Sequence, residues 1–335
     1  MVLFGSNMNL ENKLFKYSQS LFAKAESKRL FASKFVFDNR SIGSQNLLIV
    51  LVGFQPIYWD VLFSRLKECE HFFDESIDIC ICVPRGIEEI KKNRNANKLR
   101  LICRENNWSY LYLYEDLLAQ AQNTAIQLHP NAKWIYKIDE DIILPISYFG
   151  ELKKAYRIAV DTMPYYPGML SPLLNINAYG VVPFLKGLNL WREFEEKFGK
   201  YYYGMKNGGI NAGSGKIHED PLMALWIWQK SIPFDKVSQE IFLANKGRIG
   251  ICKNRLSIGA ILFERSFWEE INYFFVGKTG SMGLEEEQVN AFCISNNRGI
   301  YIDESLLAGH MGFGKQKKEI EQFYINNSKD FEVRK

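Results

Sequence analysis

The stretch WIYKIDEDIIL, residues 134 to 144, decides the fold. It begins as an apolar strand pattern and runs directly into the acidic triplet Asp139-Glu140-Asp141. Alternation along a strand puts Asp139 and Asp141 on the same face. Two carboxylates on one face repel each other unless something positive lies between them. A hard divalent cation meets that need, and oxygen ligands suit Mg²⁺ or Mn²⁺. Such a cation can also bridge a diphosphate. The plain alternative is a solvated acidic turn after a strand, and the apolar run in front of the triplet favours the cation.

Upstream of that stretch the pattern alternates. LLIVLVGF (47–54) reads as a buried strand, 57–73 as a helix, and IDICICVP (77–84) as a second strand. Residues 86–99 are polar with a helical pattern, WSYLYLY (108–114) is a short strand, and EDLLAQAQNTAIQLH (115–129) is a helix stopped by Pro130. This strand-helix rhythm predicts an α/β fold, a mostly parallel sheet with helices on both faces. In such sheets ligands bind at the carboxyl ends of the strands, where the triplet sits. Downstream, IGAILFE (258–264) reads as a strand, SFWEEINYF (266–274) as a helix, EEEQVNAFCISNN (285–297) as a helix and GIYIDES (299–305) as a strand. Residues 160–250 break the rhythm with a turn at YYPG, the run Tyr201-Tyr202-Tyr203 and a glycine-rich stretch from Gly204 to Gly215. They read as an insertion with mobile loops, suited to covering a site or holding an acceptor.

The domain plan that follows is an arm over 1–46, a catalytic body over 47–314 and a polar tail over 315–335. Residues 1–46 hold seven Lys or Arg against three Asp or Glu, so the chain's whole excess of +4 lies in the arm. Leu10, Leu14, Tyr17 and Leu21 recur at helical spacing with Lys13, Lys16, Lys24 and Lys28 largely between them, so 8–37 reads as a basic amphipathic helix. It either packs on the body or makes peripheral contact with an anionic membrane. The body is balanced and carries no basic stripe interleaved with aromatics, which argues against a nucleic-acid partner. The six cysteines form no CxxC pair, and the N-terminus has no charged-then-apolar signal pattern. Reduced, buried thiols and a cytoplasmic location are the resulting expectation.

Other residues stand out for chemistry. His310 lies among glycines in AGHMGFG (308–314) and is either a metal ligand or a structural histidine. Glu285-Glu286-Glu287 open a helical pattern; the helix dipole alone explains them, and a general base is the functional reading. His218-Glu219-Asp220 precede Pro221, a helix-start signal. Trp191, Trp226 and Trp228 either fill the core or stack on sugar faces.

Taken together, these segments resemble the inverting GT-A superfamily of bacterial glycosyltransferases. LLIVLVGF resembles the strand that lines its nucleotide pocket, QAQNTAI (120–126) the helix before its metal strand, and WIYKIDEDIIL its DxD strand. IGAILFERSFWEEINYF, GLEEEQVNAF and GIYIDESLLAGHMG follow the order of its second half. The resemblance implies a Rossmann-like GT-A fold and a nucleotide-sugar donor, a UDP-sugar foremost. It implies donor contacts at Gly53, Phe54, Arg85, Asn123 and Asp139, and a Mn²⁺ or Mg²⁺ ion on Asp139, Asp141 and His310. Glu286 stands at the family's catalytic aspartate with Glu285 before it, and Glu287 serves if the register slips by one. The base is Glu rather than Asp here, and Val83-Pro84-Arg85 lacks the acidic residue that often reads the nucleotide base. The implied product is a lengthened glycan or lipid-linked glycan of a surface polysaccharide. The rival readings are a retaining GT-A transferase, a silent glycan-binding module of the same fold, and a nucleotidyltransferase.

Overall fold

The computed structural model describes residues 29–53, 56–84, 94–115, 117–201, 217, 220–253, 255–277, 283–312 and 314–333. Among these, ten strands share one sheet flanked by eleven helices. The strands are β1 Phe35–Asp38, β2 Asn46–Leu51, β3 Asp78–Pro84, β4 Ser109–Leu113, β5 Trp134–Asp139, β6 Ile142–Ile143, β7 Pro167–Leu174, β8 Ile249–Ile251, β9 Ala260–Glu264 and β10 Gly299–His310. Their order is β1-β4-β3-β2-β5-β9-β7-β10-β6, with β8 also on β10.

The core strands form because nearly every side chain in them is buried on one face or the other. Along β2, Leu47, Ile49 and Leu51 enter one core while Leu48, Val50 and, just past the strand, Val52 enter the core on the opposite face. The helices that cover these faces include α1 Trp59–Phe72, α2 Arg94–Glu105, α3 Leu118–Leu128 and α4 Tyr148–Thr162. The chain steps outward through β2, β3 and β4 in parallel and then returns to pair β5 with the other side of β2. That reversal is a topological switch point, and its crevice opens at the carboxyl ends of β2 and β5. The last pair there is Leu51 with Asp139.

β9 is antiparallel to both β5 and β7, and β10 is parallel to β7. The β7–β10 pairing shifts register between Asp303 and Leu307, opposite Pro172 and Leu173. Pro172 has no N–H to give the ladder, so a bulge is expected where it sits.

The region over 160–250 is not one insertion. α4 runs to Thr162, and β7 lies between β9 and β10 in the main sheet. Its two prolines and glycine had hidden the strand pattern. Between β7 and β8 the described elements are helical: α5 Val181–Gly187, α6 Trp191–Phe198, α7 Pro221–Gln229 and α8 Phe234–Asn245. Asp220 caps α7 by accepting from Leu222 N at 2.9 Å and Met223 N at 3.1 Å, with Pro221 next, as a helix-start reading requires. His218, Glu219 and the glycine-rich stretch lie outside the described residues.

The arm also changes character. Residues 35–37, read as helix, belong to β1, which pairs antiparallel with β4. The aromatic and β-branched run FVF suits a strand better than a helix. Just before it, Leu30 is buried, Arg29 donates to Val276 O and Ala32 N donates to Thr124 Oγ1. Residues 29–38 are therefore part of the body; the rest of the helical reading lies outside the described residues. The tail carries α11 Lys317–Asn326, and buried Arg65 of α1 donates to Phe331 O, Glu332 O, Leu144 O and Asp235. No helix among the described residues is long and apolar enough to cross a membrane. All six cysteines are buried and free, and Cys80 and Cys82 lie on one face with sulfurs 3.7 Å apart.

Candidate active site at the switch point

β5 delivers Asp139 to the crevice, the chain turns through Glu140 and Asp141, and β6 then pairs antiparallel with the end of β10. The register sets Ile142 opposite His310 and Ile143 opposite Gly309. Met311 N donates to Asp141 O at 3.0 Å, and Trp228 Nε1 donates to His310 O at 3.0 Å. A residue 169 positions away is thus brought to the acidic turn: His310 Nε2 stands 3.5 Å from Asp141 Oδ2.

The imidazole is oriented from behind. Its Nδ1 lies 3.0 Å from Ile176 O, and a carbonyl can only accept, so Nδ1 carries a hydrogen. Its backbone N donates to Asn175 Oδ1 at 2.9 Å. Nε2 is therefore the nitrogen aimed at the turn. Burial works against a charged imidazole here, but Asp141's charge and hydrogen bond overcome it and hold His310 up at about 9. Burial likewise opposes the Asp141 carboxylate, and the imidazolium more than compensates, holding it below its usual range. Asp141 Oδ1 is buried and accepts no hydrogen bond from any described residue. An orphaned buried carboxylate oxygen asks for a partner.

Asp139 is held differently. Lys137, two residues earlier on the same face, puts Nζ 2.7 Å from Asp139 Oδ1 and 2.8 Å from Ile258 O. Lys137 is 3% exposed, so this is an ion pair at the floor of the site. Asp139 N also donates to Gly259 O. Burial raises the Asp139 carboxyl despite the pull of Lys137, and Asp141's charge adds to the rise.

Helix α10, Leu284–Ser295, supplies the remaining carboxylates at its first turn, after Gly283 in the left-handed conformation. Glu286 is fully employed. Its Oε1 accepts from Arg255 Nε and Nη2 at 2.7 Å, and its Oε2 accepts from Ile258 N at 3.2 Å. Asn290, one turn on, clamps Leu256 through both its N–H and its carbonyl. Glu286 and Asn290 therefore fasten the 255–259 loop, whose Ile258 carbonyl holds Lys137. Glu287 is paired with Arg255 at 2.9 Å and is more than half exposed. Glu285 is the buried member, and burial raises its carboxyl above the usual range. Lys137 and Asp139 also act on it through their charges.

The expected donor contacts divide. Gly53 is in the crevice and donates its N–H to Glu140 Oε1 at 2.8 Å. Asn123 is not available: it is fully buried, donates to Leu30 O and Phe274 O, and accepts from Trp268 Nε1 and Phe274 N. It joins α3 to residue 30 and to the stretch after α9 (Arg265–Glu270), so its place in QAQNTAI reflects packing. Phe54 and Arg85 lie outside the described residues. Trp228 is core and supports His310; Trp226 and Trp191 pack with Phe194 among the helices between β7 and β8. Lys137, Arg255 and Asn175 are the residues that sequence reading passed over. Lys137 was detectable, as a charged residue inside an apolar strand and in phase with Asp139.

Asp141 and His310 suit a divalent cation. The orphaned Oδ1 supplies an anionic oxygen, and an imidazole whose other nitrogen donates to a carbonyl is the usual arrangement behind a metal. Among the described residues no group of three or more His, Cys, Asp or Glu side chains forms a cage by itself. Two protein ligands are enough for Mg²⁺-like ions when substrate phosphates and water complete the shell. The chain matches no protein-family model, and no curated protein shows significant similarity to it.

Proposed function

We propose that this chain is an inverting glycosyltransferase of the GT-A type, moving a sugar from a nucleoside diphosphate to a glycan or lipid-linked glycan hydroxyl. The observation that carries the reading is the delivery of His310 onto Asp141, beside an unsatisfied carboxylate oxygen, at the switch point of a Rossmann-like sheet. A role in surface-polysaccharide synthesis rests on the resemblance alone.

Asp141 and His310 would hold a Mn²⁺ or Mg²⁺ ion, which supplies charge neutralisation for a leaving diphosphate. To ligate such an ion His310 would release its Nε2 proton to solvent, while Ile176 O keeps the ring fixed through Nδ1. Lys137 neutralises Asp139, so the crevice does not carry two bare carboxylates. The acceptor hydroxyl attacks the anomeric carbon opposite the diphosphate. The new carbon–oxygen bond forms as the bond to the diphosphate breaks, and the configuration inverts.

The hydroxyl proton goes to Glu285. Glu286 and Glu287 already answer to Arg255, whereas Glu285 faces the field of Lys137 and Asp139 with a carboxyl raised by burial. A carboxylate whose proton affinity is raised is a better proton acceptor. The test is a screen of UDP-, GDP-, CMP- and TDP-sugars with Mn²⁺, reading nucleotide release and acceptor product. Release of a nucleoside diphosphate with transfer supports the reading. Release of pyrophosphate would make the chain a nucleotidyltransferase, and no turnover of any donor would leave a binding module.

A further inference from the structure

The middle residue of the acidic turn has a role that the flanking aspartates do not explain. Glu140 turns away from them toward the end of β2. Its Oε1 accepts Gly53 N–H at 2.8 Å, and its Oε2 accepts the indole Nε1–H of Trp59 at 3.1 Å. Trp59 is the first residue of α1 and is fully buried, so this contact is anchored in the core. One carboxylate thus spans the crevice. It ties the β5 turn, which carries Asp139 and Asp141, to the backbone leaving β2 and to the start of α1.

The chemistry of the span is specific. Both partners are donors, and only an ionised carboxylate offers an acceptor to each at once. A glutamine has one acceptor oxygen and would present an N–H to the second donor. An aspartate keeps the charge but is one methylene too short to reach both. A carboxylate accepting two such hydrogen bonds makes charge-assisted contacts, stronger than neutral ones. The turn and the β2 end are therefore tied together through this one side chain.

We propose that Glu140 is a positioning residue that couples nucleotide binding at the end of β2 to cation binding at Asp141. Ordering either half orders the other through this strut. The proposal rests on the functional reading above. Such coupling is reciprocal: the factor by which a nucleotide tightens the cation equals the factor by which the cation tightens the nucleotide. Whatever part of it comes from attraction between the diphosphate and the cation themselves would survive loss of Glu140.

The test is calorimetric titration of Mn²⁺ into the full chain with and without UDP, repeated with GDP, alongside the reverse titrations. It is run for wild type, Glu140→Gln and Glu140→Asp, with thermal melts to confirm folding; if one variant does not fold, the other carries the test. The wild type is expected to show mutual tightening within the usual range of about 5- to 150-fold. In either variant that factor falls at least about threefold without reaching one, equally in both directions, while Mn²⁺ affinity without nucleotide stays within about twofold. A merely structural role would lower the melting temperature and leave the factor unchanged, which would overturn the proposal while leaving the functional reading intact. Failure of wild type to bind either nucleotide with Mn²⁺ would overturn both.

Discussion

His310 Nε2 and Asp141 Oδ2 lie 3.5 Å apart because the two-residue strand β6 locks Ile142 opposite His310 on the last rungs of β10. Neither residue is held by the other alone. Ile176, Asn175 and Trp228 fix the histidine, and Met311 N fixes the backbone of the aspartate.

This pair makes the metal-free protein sensitive to alkali. His310 is raised from its ordinary 6.5 to about 9 in the fold. Its contribution is therefore complete below pH 6.5 and is lost as the pH rises through about 9. In that window the folded state binds the extra proton, so stability falls with a slope of up to about 1.4 kcal/mol per pH unit. Urea denaturation in EDTA from pH 6 to 9.5 checks this. His310→Gln should flatten the slope, and an equal slope in that variant would remove the pair as its cause.

Gly309 is required by its neighbours. A Cβ there would stand 2.5 Å from Trp228 Cη2 and 3.2 Å from both Ile143 Cβ and Phe234 Cε2. These are core groups that cannot yield without shifting the β6–β10 rungs. Gly309→Ala should cost about 1 to 3 kcal/mol by overpacking, read from urea midpoints, and should weaken Mn²⁺ binding through displacement of His310. Unchanged stability and metal affinity would show that the rungs do not set the site.

The two glutamates at the start of α10 should separate. Glu285→Gln keeps the shape and removes the proton acceptor, so turnover should fall about 10²- to 10⁴-fold with donor affinity little changed. Glu286→Gln should instead cost about 1 kcal/mol of stability by weakening the Arg255 clamp, with a smaller loss of rate. A dead Glu286→Gln beside an active Glu285→Gln would reverse the assignment. If neither matters, a retaining mechanism, which needs no general base, becomes the better description.

Deletion of residues 1–40 should damage the body. It removes β1, bares the edge of β4, takes Leu30 out of the core and leaves Asn123 Nδ2 without its Leu30 partner. Unpaired buried amide groups cost about 1 to 3 kcal/mol each. The truncated chain should be insoluble or melt well below the full chain in a differential scanning experiment. A truncated protein with an unchanged melt would make this segment an appendage.

What could be read from the sequence follows from where physical signals are undiluted. β2 through β5 are apolar runs between clear helices, so their rhythm and the position of the acidic turn were visible. Asp220-Pro221 carried a local signal that the α7 cap obeys. β7 was hidden because Pro167, Gly168 and Pro172 break the strand pattern, and only the bulge in β10 reconciles Pro172 with the sheet. Asn123 could not be placed, since its four hydrogen bonds reach residues more than 90 positions away. The same holds for Glu286: its Arg255 partner lies in a loop with no pattern of its own, so the helix-start signal could not tell which glutamate was free.

The most direct measurement is a crystal of the chain soaked with Mn²⁺ and a nucleoside diphosphate, with anomalous diffraction recorded at the manganese edge. A peak ligated by an Asp141 carboxylate oxygen and by His310 Nε2, with diphosphate oxygens completing its shell at the carboxyl ends of β2 and β5, is the predicted result. Nucleotide bound in that crevice with manganese elsewhere, or no nucleotide there at saturating concentration, would contradict it.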